Sequence, residues 1–118
     1  MEGYESIFIF DPELGEDKQK EELDKYRALI SANGGEVVHH KAWGRRKLAY
    51  EVKKREYGVY HLFYINHSPD ALRALENQFR IDEGVIKWMS VSVVDVETEH
   101  SNFEKLITEG SISQSMGE

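Results

Sequence analysis

Val59-Tyr60-His61-Leu62-Phe63-Tyr64-Ile65 runs directly into Asn66-His67-Ser68-Pro69-Asp70, and the junction between these two stretches decides the fold. The first is dense in β-branched and aromatic residues, the composition of a strand. The second is a helix start, with a hydroxyl at the N-cap, a proline at the first helical position and a carboxylate near the positive end of the helix dipole. Leu72, Leu75 and Phe79 then give the helix a buried stripe, and Gly84 falls just beyond it. Val85 to Val94 reads as a further strand, with Met89, Val91 and Val93 on one face.

Upstream of the junction, Lys53 to Gly58 reads as a hairpin loop and Val37 to Val52 as one long strand or a bent pair. Alternation places Val38, Leu48, Tyr50 and Val52 on one parity, toward the core, and Lys41, Trp43, Arg45 and Lys47 on the other. Gly44 is a candidate bulge within it. Glu16 to Ala32 is a helix, with Leu23, Tyr26 and Ile30 on one face, acidic residues in its first turn and Asn33-Gly34-Gly35 as its stop. Tyr4 to Phe10 is the opening strand, ended by Asp11-Pro12. The order strand, helix, strand, strand, helix, strand predicts an α+β, ferredoxin-like βαββαβ fold. Its four-stranded antiparallel sheet carries two helices on one face and leaves the other face to water or a partner. Residues 1–95 form this domain, and 96–118 are expected to be an acidic, flexible C-terminal tail with a short helix near Phe103 to Ile107.

The chain has 118 residues, enough for one core without staples, and its lack of cysteine excludes disulfides, thiolate catalysis and Cys-ligated metals. Neither a secretory leader nor a span of about 20 apolar residues is present, so a soluble cytoplasmic protein is expected, with no membrane partner. The net charge of -7 argues against a generic polyanion binder, but it is unevenly spread. Residues 39–61 carry 7 basic and 2 acidic groups, whereas the segments before and after each carry 4 basic and 10 acidic. A polyanion would bind at that basic segment.

No phosphate loop, dinucleotide fingerprint, nucleophile elbow or zincin motif occurs, so neither catalysis, a cofactor nor a small-molecule substrate is expected. His39 and His61 could approach across a hairpin, but two imidazoles on strands are more simply half-exposed side chains, and no metal site is expected. Asn66-His67-Ser68 matches a glycosylation acceptor but has no secretory context. Lys41, Trp43, Arg45 and Lys47 on one strand face would surround an aromatic ring with cations, a pairing suited to RNA; the plainer reading is a solvated strand face. Arg55 to Phe63 only loosely matches the aromatic signature of the RRM sheet.

Trp43-Gly44-Arg45-Arg46-Lys47-Leu48-Ala49-Tyr50-Glu51-Val52-Lys53 resembles the signature of the bacterial small-subunit ribosomal protein S-six family. The likeness extends from Tyr4 to about Val94, through Tyr4-Glu5, Gly34-Gly35, Gly58-Val59-Tyr60 and Val85; Lys47 and Val52 depart from the usual pattern. The resemblance implies the same fold and a structural role in the ribosome. It implies binding to the central domain of small-subunit rRNA together with ribosomal protein S-eighteen during platform assembly. The RNA-binding residues it implies are Arg45, Arg46 and Lys47, followed by Lys53, Lys54, Arg55 and Lys87. Tyr4 and Trp43 are the expected aromatics of the partner or RNA surface. Glu2 and Gly3 stand where the family often has basic residues, so no RNA contact is assigned to the extreme N-terminus. The alternative is a ferredoxin-like dimer that binds or oxidises a small molecule between its sheets, which would need an apolar, accessible sheet face.

Overall fold

A computed structural model describes residues 2–94. The expected tail, with its short helix, lies outside the described residues. The elements are β1 (Gly3–Phe10), a 3-10 turn (Pro12–Leu14), α1 (Glu16–Ala32), β2 (Val37–Val52), β3 (Arg55–Asn66), α2 (Pro69–Ile81) and β4 (Val85–Val93). The sheet order is β2-β3-β1-β4 with every pairing antiparallel, the ferredoxin-like arrangement read from the sequence.

β1 is an inner strand of the sheet, and all eight of its residues are buried. Its two sets of alternating side chains enter two cores, as the period of two requires. Phe8 and Phe10 meet Tyr26 and Ile30 of α1, Ala71, Leu75 and Phe79 of α2, and Phe63 and Ile65 of β3. Phe8 has the rings of Phe10, Tyr26, His61, Phe63 and Phe79 around it, with centroids 5.0 to 5.7 Å away. On the opposite face Ile7 and Ile9 join Tyr60, Leu62, Tyr64, Leu48, Ile86 and Val93. The expectation of an open second face is therefore corrected: Ile7, Leu62 and Tyr64 have no solvent exposure. β2 contributes to that burial, because Val38, Trp43, Leu48 and Val52 pack against this cluster as the long strand twists.

Two polar clusters tie α1 to the rest of the molecule. Tyr26 Oη donates to Asp82 Oδ2 at 2.6 Å, while Gln78 Nε2 and Lys25 Nζ donate to Oδ1 at 2.8 and 3.3 Å. Burial opposes ionisation of Asp82, yet these hydrogen bonds and the charge of Lys25 together hold its carboxyl below the ordinary range. Burial, followed by the bond to Asp82, raises the Tyr26 phenol. In the second cluster Arg27 Nη2 lies 2.7 Å from His40 Nδ1, and His40 Nε2 lies 3.0 Å from His61 Nδ1. A guanidinium can only donate, so His40 accepts at Nδ1, donates from Nε2 to His61, and leaves the His61 proton on Nε2. Burial, followed by the charge of His40, pushes the His61 pKa down to about 4. Burial and then Arg27 lower that of His40.

At the start of α2 the sequence reading needs one adjustment. Ser68 occupies the N-cap with extended backbone, but its hydroxyl makes no cap bond. It donates instead to the carbonyl of Asn33, 3.3 Å away, tying this helix start to the end of α1.

Candidate nucleic-acid interface

β2 and β3 outreach the other strands, and their distal half forms a hairpin finger that carries most of the basic residues of the 39–61 segment. Pairing is regular from His39 opposite Tyr64 to Ala42 opposite His61, then breaks, and resumes with Gly44 opposite Tyr60. Trp43 is the extra residue of this bulge, and Gly44 adopts φ +79°, a left-handed value that side-chain-bearing residues disfavour. One added residue reverses every later side chain. Arg45 lies opposite Val59 and Lys47 opposite Tyr57, on the helix side, whereas Lys41 opposite Leu62 and Arg46 opposite Gly58 lie on the second face. The single cationic face of Lys41, Trp43, Arg45 and Lys47 is thus corrected to a finger with cations on both sides.

Leu48, two residues beyond Arg46 on the second face, packs inward at 6% exposure as expected, whereas Tyr50, within a second irregularity between Lys47 and Val52, is exposed at 41%, against the expectation that it packs the core. Gly58 allows close approach where the finger joins the body, since a Cβ there would stand 2.2 Å from Ile9 Cγ2. The turn is shorter than the predicted loop: only Lys53 and Lys54 separate the strands, with φ +50° and +66°. Such a turn suits Asn-Gly, and two lysines there hold backbone strain.

The structure sorts the predicted site residues into groups. Arg45, Arg46, Lys47, Lys53 and Lys54 are exposed on the finger. Lys53 Nζ also reaches the Val85 carbonyl at 3.5 Å, which links the tip to the start of β4. Lys87 lies opposite Ile9 on the second face, in a row with Tyr60 and Gly44 that is two pairs from Arg46 along the finger. Arg55 is held by Asp11 at 3.0 Å and Glu13 at 3.1 Å, so its guanidinium fastens the finger to the 3-10 turn. Hydrogen bonding to Asp11 raises its pKa further, against a smaller opposing effect of burial.

The two aromatics sit differently from expectation. Tyr4 is buried and stacks on His67 with centroids 5.5 Å apart, and Trp43 packs on the second-face cluster with its indole N–H buried and without a hydrogen-bond partner. Neither lies as an open platform. A ring that is exposed on the finger is Tyr57, at 39% exposure, with the Arg45 guanidinium 4.6 Å from its centroid. A loop running from Lys53 to Gly58 conceals it, whereas a two-residue turn aligns Tyr57 with Lys47.

Among the described residues no three His, Cys, Asp or Glu side chains gather as a metal site would need. No helix among them is long and apolar enough to cross a membrane.

A family profile described as Ribosomal protein S6 matches residues 3–92. The small ribosomal subunit protein bS6 of Caldanaerobacter subterraneus is 37% identical over 95 residues, covering 80% of this chain and 100% of that protein. That of Clostridium novyi is 40% identical over 92 residues, covering 78% of this chain and 97% of the other. Among solved structures, the 30S ribosomal protein S6 of Thermotoga maritima superposes with a TM-score of 0.75 at 28% identity, over 88% of this chain and 99% of its own.

Proposed function

The chain belongs to the ribosomal protein S6 family and is a structural, non-catalytic component of the small ribosomal subunit, and on that premise we propose how it engages RNA and protein. Its basic finger binds the central domain of small-subunit rRNA, and it does so together with ribosomal protein S-eighteen during platform assembly. Arg45, Arg46, Lys47, Lys53 and Lys54 take phosphates, with Lys87 contributing from the second face. Arg55 acts by positioning the finger. The observation that carries this reading is the exposure of those five cations on one projecting hairpin of an otherwise acidic chain.

Phosphate contacts release counterions, so each should add about 0.9 to the steepness with which affinity falls against salt on a double-logarithmic scale. The remaining surface repels RNA unless a basic protein covers it, which is the role assigned to the partner. The second reading, a small-molecule site between the sheets of a dimer, requires an accessible face. Ile7, Leu62 and Tyr64 are wholly buried on that face, so it is not favoured.

A salt titration of binding to the central-domain rRNA fragment, with and without S-eighteen, tests the proposal. Tight binding is expected only with the partner present. Arg45→Ala/Arg46→Ala/Lys47→Ala should lower the salt slope by up to about 0.9 for each phosphate that is no longer neutralised. An unchanged slope removes these residues from the RNA interface, and no binding in either condition overturns the assignment.

A further inference from the structure

The helix side of the finger faces the 3-10 turn across an open cleft of about 230 Å3, whose walls include Glu13, Arg45, Lys54, Arg55, Glu56 and Tyr57. We propose that this cleft holds one unpaired nucleotide of the bound RNA, its base stacked on the Arg45–Tyr57 pair and its phosphate on Lys54. The proposal rests on the RNA-binding role assigned to the finger and specifies a contact within it.

Three observations support a base here rather than an anion alone. First, Arg45 already lies over the Tyr57 ring at 4.6 Å, and both a phenol ring and a guanidinium plane are surfaces on which unpaired bases stack. Second, the lining includes the acidic Glu13, which a pure phosphate site would avoid. A carboxylate accepts from the exocyclic amino group of cytosine, so the edge chemistry favours an amino-bearing base over uracil. Third, the cleft is braced: Arg55 donates to Asp11 and Glu13, and Asp11 accepts from the Glu13 backbone N–H at 2.9 Å. Glu13 is thereby tied to Arg55 at the wall of the cleft.

Stacking and charge separate experimentally, because only charge contributes to counterion release. The test uses the full chain with S-eighteen on the central-domain rRNA fragment, comparing Tyr57→Ala, Tyr57→Phe and Lys54→Ala across a salt series. Tyr57→Ala should bind at least about five-fold more weakly at every salt concentration, with an unchanged slope, and Tyr57→Phe should restore affinity. Lys54→Ala should instead flatten the slope by about 0.9. Wild-type affinity in Tyr57→Ala, or a defect that Tyr57→Phe does not repair, overturns the nucleotide site while leaving the finger's phosphate contacts in place. Failure of the wild-type chain to bind the fragment overturns both readings.

Discussion

Around Phe8 five rings close on a side chain with no solvent exposure, and the Arg27–His40–His61 chain at the rim admits one arrangement of protons; past Gly44 the finger carries exposed cations on both sides and a turn with two lysines in left-handed conformation. The body obeys the rules of burial and periodicity closely, and the finger departs from them at its bulge, its second irregularity and its turn. Departures of this kind concentrate where a surface is shaped for binding rather than for stability. The contrast assigns most folding free energy to the body and recognition to the finger, and each assignment can be tested.

The largest effect is expected at the centre of the body. Phe8→Ala should cost about 3–5 kcal/mol of stability in urea unfolding, because the surrounding rings cannot collapse into the space left. A decrease as small as that of an exposed residue would show that the ring cluster is not where stability resides.

Acid tests the same region next. The unfolded chain takes up a proton at His61 near its ordinary pKa of 6.5, while the folded chain resists until about 4. Between these values the unfolded state binds more protons. The His61 contribution to stability is therefore complete above about pH 6.5, falls by roughly 3 kcal/mol as the pH drops through the window, and levels off below about 4. His40, whose pKa is also lowered, shifts stability in the same direction. Denaturation curves at pH 7, 5.5 and 4 measure this slope, and His61→Leu should flatten it.

A smaller effect of opposite sign is expected at the finger's tip. Lys53→Asn/Lys54→Gly places the residues that a turn with two positive φ values prefers, and should raise stability by about 1–2 kcal/mol. The same change removes two cations and should weaken RNA binding in the salt titration. If stability and RNA affinity both rose, the lysines would have no functional reason to be there.

The body is legible in the sequence because its signals are periodic and redundant. Ile7-Phe8-Ile9-Phe10, the stripe through Tyr26 and Ile30, and the Pro69-Asp70 helix start each name their element, and β1 to β4 follow in the predicted order. The finger is only partly legible. Strand parity transmits one error to every later residue, so the bulge at Trp43 puts Arg45 and Lys47 on the face opposite the one alternation predicts. The run Lys53-Lys54 carries no turn signature, so the sequence points to a loop reaching Gly58 and hides Tyr57 within it. Ser68 shows a similar limit: its position at the helix start is readable, but its hydroxyl bond to Asn33 depends on where α1 ends in space.

The placement of β1 has a consequence for how the protein is made. β2 and β3 are joined by two residues and can pair as soon as they emerge from the ribosome, but β1 sits between β3 and β4, and Gly3 is opposite both Asn66 and Val93. Until Val85–Val93 is synthesised, the first strand can be paired on one side only, with an unprotected row of backbone donors and acceptors on the other. Synthesis that stops before β4 would leave a nearly complete sheet with the apolar β1 as an added open edge, the kind of species that aggregates. The last strand moves that edge outward from β1, whose residues are all buried in the finished fold, to β4, so the inner strand is covered only when the two ends of the fold have met.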